Sequence, residues 1–134
     1  MPAEGVFHNL VIVSLQKRYP GHARKVMHGL WGLGLLMLAK AIVVVDEGID
    51  VQNYSQVAWQ VLGNVDWSRD LLISEGAVDQ LDHAATRSSF GGKIGLDATA
   101  KWPEEGYNRV WPEMVAMSPE VKQRVDDLWK ELGL

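Results

Sequence analysis

Apolar residues along this chain fall into two alternating patterns. Short runs dominated by β-branched residues are typical of strands covered on both faces, and they lie at residues 6–15, 41–45 and 70–74, with a shorter candidate at 94–96. Apolar residues at helical spacing follow the first run, from residue 23 to about 36, and follow the second run after Asn53. Strands that alternate with helices predict parallel βαβ units. We therefore expect an α/β fold, a three-layer βαβ sandwich with a mostly parallel sheet.

Glycines and irregular stretches refine this prediction. Asn53 has the position of a helix N-cap. Gly29 and Gly32 lie three apart in the first predicted helix. Because glycine weakens a helix by ~1 kcal/mol, we expect these two to allow a close approach of the helix to the sheet. Two stretches without a regular pattern, residues 75–92 and 102–117, predict long surface loops.

The last predicted element is an amphipathic helix. Ser118 is the expected cap and Pro119 the first helical residue, and the apolar positions form one stripe of Val121, Val125, Leu128 and Leu132. We expect residues 1–117 to form the α/β domain and residues 118–134 to form a protruding C-terminal helix. The stripe packs either on its own domain or on another subunit, and the sequence leaves both possibilities open.

Composition argues against several classes of protein. The 134 residues carry a net charge of −4, so nucleic acid is not an expected partner. Cysteine is absent, which excludes disulfides and thiolate zinc sites and fits a cytoplasmic protein. The longest apolar stretch, residues 30–45, is shorter than the ~20 residues that span a bilayer, so no transmembrane segment is expected. Three tryptophans fall in predicted helices and are expected to pack in the core: Trp31, Trp59 and Trp129.

Two turns after predicted strands carry the polar groups of most interest. Asp46 and Glu47 follow the second strand, at the edge where open α/β sheets bind ligands, although a turn with solvated carboxylates is the simpler interpretation. Asp97, Thr99 and Lys101 follow the fourth strand. A pairing of Asp97 with Lys101 as acid and base is conceivable from residue type alone.

Other candidate constellations are weaker. The four histidines are not spaced as metal ligands, and no Gly-x-Ser-x-Gly elbow occurs. A basic cluster between Lys17 and His28 precedes and enters the first helix, where a phosphate or carboxylate could bind, but it lacks a glycine-rich cradle. We therefore assign no catalytic, cofactor-binding or metal-binding residue to this chain.

Several longer segments carry a family resemblance. The chain contains, in order, YPGHARKVM at 19–27, KAIVVVDE at 40–47, KIGLDATAKWP at 93–103 and VDDLWKEL at 125–132. In this order and spacing they resemble the C-terminal part of the UbiD-type carboxy-lyases, which decarboxylate 4-hydroxybenzoate-like aromatic acids in quinone biosynthesis and related pathways. The stretch at 84–92 (AATRSSFGG) departs from the Ser-Pro-rich pattern usual there.

This resemblance implies a decarboxylase that uses prenylated flavin mononucleotide (prenylated FMN) with manganese and potassium ions. In that family the flavin, its metal and the catalytic Arg and Glu residues belong to a preceding domain, and none of those motifs is found here. The resemblance thus implies an assembly and cleft-wall module that is not catalytic by itself. We expect it to be a C-terminal part or a separate subunit of a longer, homo-oligomeric enzyme.

The resemblance also assigns places to the candidate residues. Signature turns near the cleft or an interface would contain Asp46, Glu47, Asp97, Thr99 and Lys101. The last helix would pack on a neighbouring subunit through Val121, Val125, Leu128 and Leu132. Two other interpretations stay open. One is a free-standing small-ligand or nucleotide-binding α/β module that uses the Asp46 and Asp97 turns, and the other is a scaffold that acts only through its last helix.

Overall fold

Four strands form one sheet in the computed structural model, which describes residues 8–133. In chain order they are β1 (Leu10–Leu15), β2 (Ala41–Asp46), β3 (Leu71–Ala77) and β4 (Phe90–Ala98), and their order in the sheet is β1-β2-β4-β3. The first, second and fourth strands are parallel, whereas β3 pairs antiparallel with β4 at the edge. The predicted α/β fold with a mostly parallel sheet is confirmed.

Two helices cover the opposite faces of the sheet. Helix α1 (His22–Trp31) places Ala23 and Met27 against Ile42 and Val44, and all four side chains are fully buried. Helix α2 (Tyr54–Asn64) covers the other face, where a second core contains Val43, Val45, Ile49, Val57 and Ala98. Alternate residues of β2 therefore enter different cores, as the period of two in a strand requires. The result is three layers.

A glycine of the sheet, rather than those of the helix, permits the closest approach of α1. A Cβ atom added to Gly95 in β4 would lie 2.5 Å from Sδ of Met27, whereas a Cβ on Gly29 would meet nothing within 4 Å and one on Gly32 only the backbone of its own helix. The prediction for Gly29 and Gly32 was wrong. Gly32 instead ends α1, and a short 3-10 helix, Gly34–Leu38, follows.

The described boundaries differ from the sequence prediction mainly around β3 and β4. Strand β3 runs on to Ala77 and β4 begins at Phe90, so the loop predicted at 75–92 is shorter, at 78–89. The predicted first strand began at Val6, but residues 6 and 7 lie outside the described residues. Asn53 caps α2 as expected, because its side chain accepts a hydrogen bond from the N–H of Gln56.

Residues 106–133, here called the C-terminal arm, follow a second 3-10 helix (Pro103–Glu105). The arm ends in helix α3 (Pro119–Glu131), which Ser118 caps through a hydrogen bond from the N–H of Val121. No residue of α3 is buried. Trp129 is 56% exposed and Trp59 on α2 is 55% exposed, so two of the three tryptophans expected in the core lie at the surface. Within residues 8–133, no helix has the length and apolarity needed to cross a bilayer.

Candidate functional site

The carboxyl ends of β1, β2 and β4 meet at one edge of the sheet, and the two signature turns lie there together. The turn after β4 is built around the ammonium group of Lys101. Its Nζ donates to the carbonyl oxygens of Asp97 and Thr99, both at 2.7 Å, and to the Asp97 carboxylate at 3.0 Å. The same carboxylate accepts from the backbone N–H and the hydroxyl of Thr99. The hydrogen-bonding groups of three residues in one short turn are therefore satisfied by one another.

The side chains of this network are buried, so a ligand cannot contact them. The Lys101 side chain is 1% exposed and that of Asp97 is 8% exposed, and Thr99 is fully buried. Burial lowers the pKa of Lys101, and the charge and hydrogen bond of Asp97 oppose that shift. Because an ammonium group has three N–H donors and all three have acceptors within the turn, Lys101 has no donor left for a substrate. Asp97 and Lys101 thus hold the turn together and do not form an accessible acid–base pair.

A second carboxylate supports the network from the start of β3. Asp70 lies 3.8 Å from Nζ of Lys101, and it accepts two hydrogen bonds of 2.8 Å from the Arg69 guanidinium and one from the N–H of Asp66. Arg24 of α1 donates to the carbonyl oxygens of Arg69 and Leu71. These contacts tie α1 and the beginning of β3 to the turn that follows β4.

Asp46 lies beside this network but is bound differently. Its carboxylate accepts from the N–H of Ala100 at 2.8 and 3.1 Å and from the side-chain amide of Gln60 at 3.0 Å. Burial raises the pKa of Asp46, against the lowering effect of the Ala100 hydrogen bond. The expectation of solvated carboxylates was therefore wrong for Asp46, which bridges β2 to the turn after β4. It holds for Glu47, which is exposed.

The N-terminus of α1 receives a carboxylate of the same chain. Glu105 accepts from the N–H of Gly21 at 3.1 Å and from the N–H of Trp102 at 3.0 Å, and it forms an ion pair with Lys17. Lys17 also donates to the carbonyl oxygen of Ala100 at 2.7 Å. Burial favours a higher pKa for Glu105, but the hydrogen bonds from these three donors lower it below its usual value. Lys17 of the basic cluster thus binds Glu105 and connects the start of α1 to the base of the C-terminal arm.

A cavity opens next to Asp46, between α2 and the C-terminal arm. Its volume is about 380 Å³, within the range of small-molecule sites. Trp59 and Gly63 form the side on α2, and Trp111 and Met114 form the side on the arm, with Asp46 at the polar end. The sequence analysis noted Asp46 but not its neighbours. Trp59 was expected in the core, and no sequence pattern pointed to Trp111 or Met114.

The remaining candidates lie elsewhere. The apolar stripe of α3 is 38–62% exposed and is not buried against its own domain; its residues are Val121, Val125, Leu128 and Leu132. Nε2 of His8 lies 3.2 Å from Asp79, and the His22 ring stacks on Tyr19. Among residues 8–133, no three or more histidine or carboxylate side chains are grouped as metal ligands.

Sequence comparisons place these features within a family. The model of the 3-octaprenyl-4-hydroxybenzoate carboxy-lyase C-terminal domain matches residues 1–98. An uncharacterized protein of Aquifex aeolicus (strain VF5) is 56% identical over 134 residues, which are all of this chain and 28% of that protein. The chain thus spans little more than a quarter of the length of this relative.

Solved structures agree with this family assignment. The chain matches the vanillic acid decarboxylase of Sedimentibacter hydroxybenzoicus in its closed form, with a TM-score of 0.78 and 28% identity over 89% of this chain and 26% of that one. The open form gives a TM-score of 0.75 at 28% identity, over 91% and 27%. The fold also matches the UbiD-class enzyme HmfF from Pelotomaculum thermopropionicum in complex with FMN, with a TM-score of 0.68 and 24% identity over 87% and 26%.

Proposed function

Because this chain belongs to the family of 3-octaprenyl-4-hydroxybenzoate carboxy-lyase C-terminal domains, we propose that it is the assembly and cleft-wall module of a longer UbiD-class decarboxylase. The family match over residues 1–98 confirms the resemblance found in the sequence. In this proposal the whole enzyme removes CO2 from a 4-hydroxybenzoate-like aromatic acid, and this module is not catalytic by itself.

The observation that carries the proposal is the internal use of the polar groups at the carboxyl edge. Lys101 directs its three donors to Asp97 and Thr99, and Lys17 is paired with Glu105. A general acid or base must reach the reacting atoms within hydrogen-bond distance. Side chains that are nearly fully buried and bonded to their own turn do not meet this requirement, which supports placing the chemistry in another part of the enzyme.

The cofactors of the family are assigned to that other part on similar grounds. A flavin phosphate would need free N–H donors, but at the N-terminus of α1 the N–H of Gly21 already donates to Glu105. The described residues contain no cluster of side chains that fits a manganese ion. The side chains of residues 8–133 therefore do not fit prenylated FMN or its metal ions. Those groups would be bound by the remainder of an enzyme whose relatives are several times longer than this chain.

A role as a cleft wall is supported by the similarity of the module to both the open and the closed form of one relative. The chain matches the open and closed forms of the vanillic acid decarboxylase almost equally, with TM-scores of 0.75 and 0.78. A module that keeps its internal fold can move as one body when a cleft closes. The turns at Asp46, Glu47, Asp97, Thr99 and Lys101 would then shape the surface that this body presents to the next domain.

A role in assembly is supported by α3. Four half-exposed apolar side chains, Val121, Val125, Leu128 and Leu132, lie on one side of a helix without a single buried residue. Their further burial is worth on the order of 3–6 kcal/mol, before the cost of association is subtracted. We assign this face to a neighbouring copy of the same chain, as the self-complementary stripe of a homo-oligomer.

The proposal is tested with purified chain, prenylated FMN, Mn²⁺ and K⁺, and with 4-hydroxybenzoate as the substrate. We expect no CO2 release and no flavin retained after gel filtration, whereas the full-length vanillic acid decarboxylase, assayed with vanillic acid as the positive control, should release CO2. Stoichiometric flavin in the purified chain together with CO2 release would show that the catalytic groups lie within these 134 residues.

A further inference from the structure

The cavity between α2 and the C-terminal arm has a particular chemical character. Its walls are largely apolar, with the indoles of Trp59 and Trp111 and the thioether of Met114 among them. Its polar end is the carboxylate of Asp46, next to the side chains of Gln60 and Asn64. Pockets of this kind, apolar with a few convergent polar groups, are typical of small-molecule sites.

Asp46 differs from the carboxylates of Asp70, Asp97 and Glu105 because it forms no ion pair of its own. Three cations near this edge have an acidic partner, Lys17 with Glu105, Arg69 with Asp70 and Lys101 with Asp97, whereas Arg24 donates to carbonyl oxygens. No cation among residues 8–133 lies within 4 Å of the Asp46 carboxylate, which accepts from the neutral Ala100 N–H and Gln60 amide. Burial raises the pKa of Asp46, and the Ala100 hydrogen bond and the more distant charges of Lys101 and Lys17 offset that shift only in part. A cation in direct contact would therefore stabilise the carboxylate further.

The other polar groups at this end of the cavity favour a ligand that donates hydrogen bonds. The amide nitrogen of Gln60 donates to Asp46 and to the carbonyl oxygen of Ala98, and the amide nitrogen of Asn64 donates to that same carbonyl. Both N–H groups of the Gln60 amide are therefore used within the protein, while the Asp46 carboxylate oxygens keep lone pairs for a ligand. The cavity lining contains Glu113 but no lysine or arginine, so an anionic ligand would be repelled.

We propose that this cavity binds a small organic cation, in which an ammonium or guanidinium group lies against Asp46 and an apolar or aromatic body lies against Trp59 and Trp111. The carboxylate supplies the counter-charge for the ligand, and the two indoles supply apolar contact for its body. This site is separate from the proposed role in assembly, and neither proposal depends on the other.

The test uses the 134-residue chain and three probes of similar size: benzylammonium, neutral benzyl alcohol and anionic benzoate. Binding is followed by NMR through the indole N–H signals of Trp59 and Trp111 and the amide signal of Ala100, which bonds to Asp46. We expect benzylammonium to bind at least about tenfold more tightly than benzyl alcohol, and benzoate to leave these signals unchanged. Equal affinity for the amine and the alcohol, or no shift with the amine at millimolar concentration, would overturn the proposal.

Two variants and a control locate the site. Asp46→Asn keeps an acceptor for Ala100 but removes the charge, so it should abolish the preference for the amine, while Glu47→Gln removes a neighbouring exposed carboxylate and should not. A preference that survives Asp46→Asn refutes the assignment. If Asp46→Asn unfolds, Trp59→Leu decides, because this half-exposed side chain can change without loss of the core. It should weaken binding of both the amine and the alcohol through lost contact with their rings, and amine binding that stays unchanged would refute the site.

Discussion

Replacing Lys101 by methionine is the most informative perturbation of the signature turn. Methionine preserves most of the side-chain volume but removes the ammonium group that donates to Asp97 and Thr99. The Lys101 side chain is 1% exposed, so water cannot replace the lost donor without opening the turn. Two carbonyl oxygens lose a donor, and the Asp97 carboxylate loses its nearest cation.

The expected cost follows from that burial. Removing one partner of a buried ion pair typically destabilises a protein by about 3–5 kcal/mol, because the remaining charge is left without compensation. The carboxylate of Asp97 keeps its two bonds from Thr99 and the N–H donors of the turn are undisturbed, which favours the lower part of this range. We therefore expect Lys101→Met to lower the free energy of unfolding by about 3 kcal/mol, measured by urea denaturation at pH 7.

A double-mutant cycle with Asp97→Asn separates the ion pair from simple loss of packing. The two substitutions should be non-additive by about 1–3 kcal/mol, since the neutral amide no longer needs the cation. The matched control is Lys130→Met on α3, whose ion pair with Asp127 is 78% and 56% exposed and whose loss should change stability by less than about 0.5 kcal/mol. An Lys101→Met variant as stable as Lys130→Met, or strict additivity with Asp97→Asn, would refute the structural role of the turn.

Three further substitutions test the contacts that position this edge and its helices. Glu105→Gln should lower the free energy of unfolding by about 1–3 kcal/mol at pH 7. Because the folded-state pKa of Glu105 is lowered from 4.5, the stability advantage of the wild type should persist above pH 4.5 and disappear as the pH falls through the lowered pKa. Urea titrations that show a pH-independent difference would contradict this. Gly95→Ala should destabilise by about 1–3 kcal/mol, because the new Cβ meets Met27 at 2.5 Å; an unchanged melting temperature would show that Met27 moves freely. Asn53→Ala should cost about 1 kcal/mol through loss of the α2 cap, with Asn53→Asp as the variant expected to retain the stability.

The sequence predicted the main architecture because β2 and the helices have strong periodic patterns. The run AIVVV is buried on both faces, and the apolar spacing of residues 23–31 matches the face of α1 that packs on the sheet. The first part of β4 was not predicted, because Phe90, Gly91 and Gly92 give no alternation of apolar and polar residues. Their strand conformation depends on antiparallel pairing with β3, which is a tertiary effect that overrides local propensity.

The contacts of the candidate site were harder to predict, because they join residues that are far apart in the chain. The Asp46–Ala100 bond spans 54 positions and the Lys17–Glu105 pair spans 88. The spacing of Asp97 and Lys101, four apart at the end of a buried strand, was visible and gave the signature. The burial of these two side chains could not be predicted, because it depends on Asp70 and on the packing of α1. That Asp46 bonds to neutral donors and forms no ion pair likewise appears only in the folded structure.

The face of α3 gives the most direct test of the central claim, which is that this module works by association with a neighbouring subunit. The measurement is sedimentation velocity over a range of concentrations for the wild type, Leu128→Asp and Gln123→Asp, the last placing the same charge on the opposite side of the helix. The account predicts concentration-dependent association for the wild type and Gln123→Asp, and a folded monomer for Leu128→Asp, because Leu128 is 52% exposed and contributes little to its own domain. A Leu128→Asp variant that associates as the wild type does, or that unfolds, would contradict it.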